Sequence, residues 1–176
     1  DLREIFRLMP GESYLYISDG AFCPYGPKDP EFIRERSAKI SAYLIGKGAE
    51  IIVVACNTAT AAAISSLREN FALPFVGMEP AIKPAALHSK SGVVGVLATA
   101  GTFRGRLYLD TLARFAGDVR VVEQVGEGLV EAIERGVFDS PAIYNLLHHH
   151  IDGMVAAGAD HIVLGCTHYP FVEEAI

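Results

Sequence analysis

The chain has 176 residues, 51% apolar and 20% charged, a globular composition with enough length to bury a core. Its formal charge of −6 argues against a nucleic-acid partner: phosphates repel an acidic surface without a basic stripe, and the arginines (Arg3, Arg7, Arg34, Arg36, Arg104, Arg106) are scattered among acids. The apolar runs are too short for a membrane span, no signal peptide is expected, and three cysteines suit a reducing, cytoplasmic compartment better than a disulfide scaffold.

In chain order, Leu2, Ile5, Phe6 and Met9 already follow helical spacing. The chain reads as opening partway through a helix and as stopping where another begins, at "PFVEEAI", so a piece of a longer protein is expected. Short runs rich in β-branched residues predict strands at 14–18, 51–55, 75–77, 93–98, 119–122 and 161–165. Helices are predicted at 30–47, 58–71, 80–87, 102–115, 128–135 and 141–157. The first and last of these share their punctuation. Asp29 and Ser140 cap them, Pro30 and Pro141 follow, and Gly48 and Gly158 stand just past their ends. The buried face of the 30–47 helix is expected to carry Ile33, Ile40, Tyr43 and Leu44.

Apolar strands alternating with helices describe parallel sheet covered on both faces. The pattern is also duplicated. "GAEIIVVACNTATAA" and "GADHIVLGCTHYP" superpose Gly48 on Gly158, Ala49 on Ala159, Glu50 on Asp160 and Cys56 on Cys166, always 110 positions apart. The fold class is therefore α/β, with two pseudo-symmetric domains, each a mostly parallel sheet flanked by helices, and an active site between them. The expected division is 1–90 and 91–176, with a linker at "SKSG", 89–92.

Ligands of such sheets gather at the carboxyl ends of strands, where Cys56 and Cys166 fall. Any one strand-end cysteine is more often core than function. Matched polar successors, Asn57-Thr58 and Thr167-His168, favour function here, since packing has no need of them. Exposed N–H groups at the following helix start are expected to lower both thiol pKa values from about 8.5. A metal site would want more ligands than His168, so none is expected. Two thiols facing one substrate suit proton removal on one face and delivery on the other.

These residues carry a resemblance. "ACNTA" and "GCTHYP" are similar to the two cysteine motifs of bacterial glutamate racemase, in the cofactor-independent amino-acid racemase superfamily. "CPYGPK" resembles that family's Pro-Tyr-Gly loop, "GMEPAIKPA" its Glu-Pro segment, and "VGVLATAGTFRGRLY" its Gly-and-Thr stretch. The resemblance implies interconversion of L- and D-glutamate for peptidoglycan synthesis, without a cofactor or metal, by a protein that binds a small molecule and forms a homodimer. Cys56 and Cys166 would exchange the α-proton, their sulfurs roughly 6–7 Å apart around the α-carbon. Tyr25, Gly26, Asn57, Thr58, Thr99, Thr102, Thr167 and His168 would bind substrate, and Glu134 would orient a catalytic His168. For Glu134 a solvated helix carboxylate is an equal reading, and for Thr99 and Thr102 helix capping is. The family's opening Asp-Ser-Gly strand and closing strands and helices have no counterpart here, and Gly126-Glu127 stand where it often has Cys-Pro.

Two rivals remain. A sister racemase would act on aspartate, a hydantoin or a related acid, and a truncated copy would bind an amino acid without turning it over. Cys23 reads as packing, and His148-His149-His150 as a partly solvated helix face, because successive helical positions point about 100° apart.

Overall fold

The computed structural model describes residues 2–176. Helix α1 (Leu2–Leu8) leads into a long irregular segment holding one 3₁₀ turn, Gly20–Phe22. No strand forms at 14–18, contrary to the alternation there: Leu15 and Tyr16 are exposed, and Tyr14 bonds locally to the Met9 carbonyl at 2.5 Å. A β-rich run becomes a strand only where a neighbouring strand completes its ladder.

Helix α2 (Pro30–Gly46) starts as its punctuation predicts, with Asp29 accepting from the Glu31 N–H at 2.8 Å. Its buried positions are Ile33, Ser37 and Ser41, while Tyr43 is 58% exposed. Small hydroxyl residues, rather than the expected aromatic, let α2 pack beside α3 (Asn57–Asn70). Strands β1 (Ile52–Val54) and β2 (Phe75–Gly77) form a parallel pair, and Ile52 and Phe75 cover one face with Ala63, Ile64 and Leu67 of α3. Val53 and Val76 on the other face remain exposed, so only one face of this sheet is covered among the described residues.

The second sheet is larger. Strands β3 (Val93–Ala98), β4 (Arg120–Val125) and β5 (His161–Gly165) run parallel in the order β4-β3-β5. Central β3 divides its side chains by parity. Val94, Val96 and Ala98 face α4 (Ile82–His88) and Tyr108 of α6 (Arg106–Phe115). Leu97 faces α7 (Leu129–Glu134) and α8 (Pro141–Ala156). Gly95 leaves room for α8, since a Cβ there would lie 2.6 Å from the Met154 sulfur. The helix expected over 102–115 is two, α5 (Ala100–Phe103) and α6, broken at Gly105, where a Cβ would lie 2.4 Å from that of Ala61.

The duplication is visible atom by atom at two helix ends. Gly48 (φ +91°) and Gly158 (φ +89°) take the left-handed conformation that glycine adopts without strain. After α2, Gly48 N–H bonds to Ile45 and Ala49 N–H to Leu44, at 2.9 and 3.1 Å. After α8, Gly158 N–H bonds to Val155 and Ala159 N–H to Met154, at the same two distances. Both are Schellman closures, which turn the chain straight into the cysteine-bearing strand.

Candidate active site

Each half brings a cysteine to the carboxyl end of a parallel strand. Cys56 stands two residues after β1 and caps α3, its sulfur accepting from the Ala59 N–H at 3.4 Å. Cys166 follows β5 directly and leads into a 3₁₀ segment, Tyr169–Ala175. In β4-β3-β5 the chain leaves β3 toward one neighbour and later returns to its other side, so the β3 and β5 ends form the crevice where α/β sheets bind ligands. Ala98 pairs with Gly165 across that crevice, placing Thr99 and Cys166 at adjacent strand ends.

The two cysteine loops meet directly. Thr167 Oγ1 donates to the Ala55 carbonyl at 3.4 Å, tying the residue after one cysteine to the residue before the other. The sulfurs are also electrostatic neighbours, since negative charge on Cys56 or Cys23 makes Cys166 harder to ionise.

Around Cys166 a chain of contacts runs outward. His168 Nδ1 lies 3.8 Å from the sulfur, and Nε2 lies 2.6 Å from Glu134 Oε1. That contact, together with burial acting against it, leaves the Glu134 carboxyl below its ordinary pKa. Cys23 joins the same carboxylate, donating to it at 3.5 Å.

On the other side lies a hydroxyl chain. Thr58 Oγ1 is 2.7 Å from Thr99 Oγ1, which is 3.0 Å from Thr102 Oγ1. All three are buried, and Thr99 also caps α5. Gly26 presses against this group, where a Cβ would come within 3.1 Å of that of Thr99. Asn57 is buried beside it, and its Oδ1 has no hydrogen-bond partner among the described residues. An orphaned buried carbonyl is costly, and a ligand donor would relieve it.

Tyr25 is engaged elsewhere. Its hydroxyl donates to Asp19 at 2.5 Å, and Arg36 forms an ion pair with the same carboxylate. The guanidinium holds Asp19 below its usual range, while burial and the Asp19 carboxylate hold the Tyr25 hydroxyl well above its own. So Gly26 is the part of that loop touching the threonines, and the Asp19–Arg36 pair anchors it. Neither Asp19 nor Arg36 stood out in the sequence, because their pairing crosses an irregular segment without periodicity.

The expectation of lowered thiol pKa values is reversed. Burial pushes Cys166 up to about 12, against help from the His168 and Tyr169 N–H groups, and it raises Cys56 against the Ala59 and Thr58 N–H groups. Cys23 rises to about 11, from burial and the Glu134 charge. Desolvation outweighs the helix-start dipoles, because thiolate loses more hydration than a few N–H contacts return. His150 also departs from expectation: it is 3% exposed, between Gln124 and the Glu127 carbonyl, while His148 stays exposed.

Comparison with known proteins places this arrangement. The chain is 53% identical over 173 residues to a glutamate racemase of Ectopseudomonas mendocina, covering 98% of this chain and 66% of that protein. It is 54% identical to one of a Roseiflexus strain, covering 97% and 63%. Glutamate racemase of Escherichia coli, solved with L-glutamate and the activator UDP-MurNAc-Ala, superposes with a TM-score of 0.87 at 35% identity, covering 99% of this chain and 66% of that one. An isoform from Bacillus anthracis gives 0.86 at 31% identity. The chain thus spans 63 to 66% of the length of these relatives. The family model described as Asp/Glu/hydantoin racemase matches residues 3–176, and the chain belongs to that family.

Proposed function

We propose that this protein interconverts L- and D-glutamate by a two-thiol proton relay, Cys56 and Cys166 serving opposite faces of the α-carbon. The observation that carries the reading is the convergence of two strand-end cysteines, joined through Thr167 and Ala55. Similarity to proteins named glutamate racemase supports glutamate among the acids of the family's description.

On this reading the two sulfurs play unequal parts, which their different surroundings support. Cys166 has a base within reach, and His168 Nδ1 takes its proton while Glu134 steadies the ring from the far side, as in other base-assisted thiols. Among the described residues Cys56 has no such base, and it starts as a thiol held by the Ala59 N–H. The Cys166 thiolate removes the α-proton, and Cys56 delivers its own to the opposite face. Carbanion charge is met by fixed donors: N–H groups after each cysteine and the hydroxyl of Thr58, while Thr167 holds the two loops together. Asn57 Oδ1, lacking a partner, suits the substrate ammonium. Tyr25 and Gly26 shape the loop above, and Thr99 and Thr102 hold Thr58 in place.

The relay uses no resident cofactor or metal. On the same reading the protein works in the cytoplasm, supplies D-glutamate for peptidoglycan and forms a homodimer, which sedimentation would test. We also propose two units, 1–90 and 91–176, with α4 reaching from the first onto the second sheet. The deciding experiment incubates the protein with L-glutamate in deuterated buffer. The expected result is α-deuterium incorporation together with D-glutamate. Calorimetric binding of glutamate with no exchange would instead establish a binding protein, and exchange of aspartate or a hydantoin alone would move the substrate.

A further inference from the structure

Cys23, which the proton relay does not use, stands in one cluster with Glu134 and His168, which it does. One sulfur, one imidazole nitrogen and one carboxylate oxygen, brought from three separate regions of the chain, lie within 4.8 Å of one another. We infer that these three side chains form a binding site for a thiophilic divalent cation of the zinc class, with the fourth position left to water.

The donor set fits such an ion. Zinc takes mixed sulfur, nitrogen and oxygen ligands in tetrahedral sites, and three protein ligands plus water is its open form. Magnesium and calcium prefer all-oxygen shells and are disfavoured by the sulfur. The cluster is reached by solvent, as Glu134 is exposed and the other two are partly so. The second nitrogen of His168 faces the Cys166 sulfur at 3.8 Å, so the ring already has a partner on its far side, as metal-bound imidazoles do. Binding converts the Cys23 thiol to a metal thiolate, and its proton leaves to water.

The metal and the His168–Glu134 bond exclude each other. Those two atoms stand 2.6 Å apart, closer than ligands spread around one tetrahedral ion, and the ion takes the Nε2 lone pair for itself. A bound cation therefore pulls His168 out of the arrangement proposed to serve Cys166. On that reading of the reaction, which this consequence depends on, the cation inhibits.

Cobalt(II) is the probe, because a thiolate–cobalt bond absorbs where the free ion does not. Titrating the purified protein should give a charge-transfer band saturating at one equivalent and displaced by zinc. The band should vanish in Cys23→Ser and persist in Cys56→Ser and Cys166→Ser, with circular dichroism confirming that each variant is folded. His168→Gln, which keeps a polar side chain, should weaken binding by more than the 10–100-fold typical of losing an outer-shell partner. No band, a band surviving Cys23→Ser, or a band lost with Cys166→Ser overturns the site. If Cys23→Ser fails to fold, Glu134→Gln replaces it, and an unchanged cobalt affinity there is equally fatal. Racemisation is assayed separately: zinc should inhibit the parent protein far more than Cys23→Ser. Equal inhibition of both would refute the regulatory consequence, while a protein without racemase activity leaves the cobalt spectra fully informative.

Discussion

The two cysteine loops begin alike and end differently. Both leave a Schellman glycine, run through a short parallel strand and reach a sulfur. Beyond Cys56 the chain coils into the 14-residue α3, whose first turn supplies N–H groups to the sulfur. Beyond Cys166 it enters a 3₁₀ segment that buries Tyr169 completely and turns His168 toward both Cys166 and Glu134. Both thiols meet backbone N–H groups, and only Cys166 also has an imidazole nitrogen beside it, at 3.8 Å. The matched strands fix where the sulfurs stand, and the elements that follow give them different surroundings.

The sharpest way to break this comparison is to remove each sulfur in turn. Cys56→Ser and Cys166→Ser should each lose racemisation by at least about 10²–10⁴-fold, the usual worth of a positioned acid–base group. The two single variants should still differ in which glutamate enantiomer exchanges its α-proton in deuterated water. Normal racemisation by either one ends the two-thiol scheme.

A smaller effect tests the base. His168→Ala should slow the direction that begins at Cys166 more than the reverse, while leaving glutamate affinity closer to normal. Equal losses in both directions would make His168 a binding residue only. The burial of both thiols gives an independent readout. A thiol whose pKa is raised to about 12 is almost wholly protonated at neutral pH, so alkylation of Cys166 by iodoacetamide should climb about tenfold per pH unit from neutrality upward. A rate already level at pH 7 would mean that Cys166 is a ready thiolate.

Packing differs between the halves at the residue before each cysteine. Ala55 is exposed, whereas a Cβ on Gly165 would lie 2.7 Å from that of Ala98 and 3.3 Å from the Leu97 carbonyl. Gly165→Ala should therefore destabilise by about 1–3 kcal/mol, the usual cost of overpacking a tight core, while Ala55→Gly should cost less. Denaturant midpoints of the two variants decide this, and a tolerated Gly165→Ala would show that β5 can shift.

The smallest effect separates the paired acids Glu50 and Asp160. Asp160 accepts from Ser89 Oγ and from the N–H groups of Lys90 and Ser91, and lies 2.9 Å from His161 Nδ1. The His161 contact first, then these donors, hold its carboxyl far below the ordinary 3.8. A depressed folded pKa stabilises above the unfolded value and loses that contribution as pH falls below it. Asp160→Asn should thus lower the melting temperature at pH 7, the gap from the parent closing below about pH 4. Glu50→Gln should do little at either pH, and a gap that ignores pH would assign the loss to shape rather than charge.

Much of this was legible in the sequence because it was written twice. Gly48 and Gly158, the Asp29-Pro30 and Ser140-Pro141 starts, and the cysteines at strand ends are local features, and local rules locate them. What stayed hidden depended on partners distant in the chain. Residues 14–18 have strand composition without a strand beside them, and Ser37 and Ser41 displace Tyr43 at a helix contact set by α3. The thiol pKa values went the other way because a sequence displays the helix start but not the depth of burial around it. In the site, Glu134 and His168 could be named together through the family resemblance, whereas Asp19 and Arg36 emerge only when the fold joins them.

The threonine chain has a further property. In both Thr58–Thr99 and Thr99–Thr102 either oxygen is able to donate, so the three hydroxyl protons form a row with more than one possible direction. A carboxylate arriving at Thr58 draws that proton outward and obliges Thr99 to point back in its place. An arriving ammonium favours the opposite orientation. Reversing the row between α3 and α5 asks only for rotation of O–H bonds, with no heavy atom displaced.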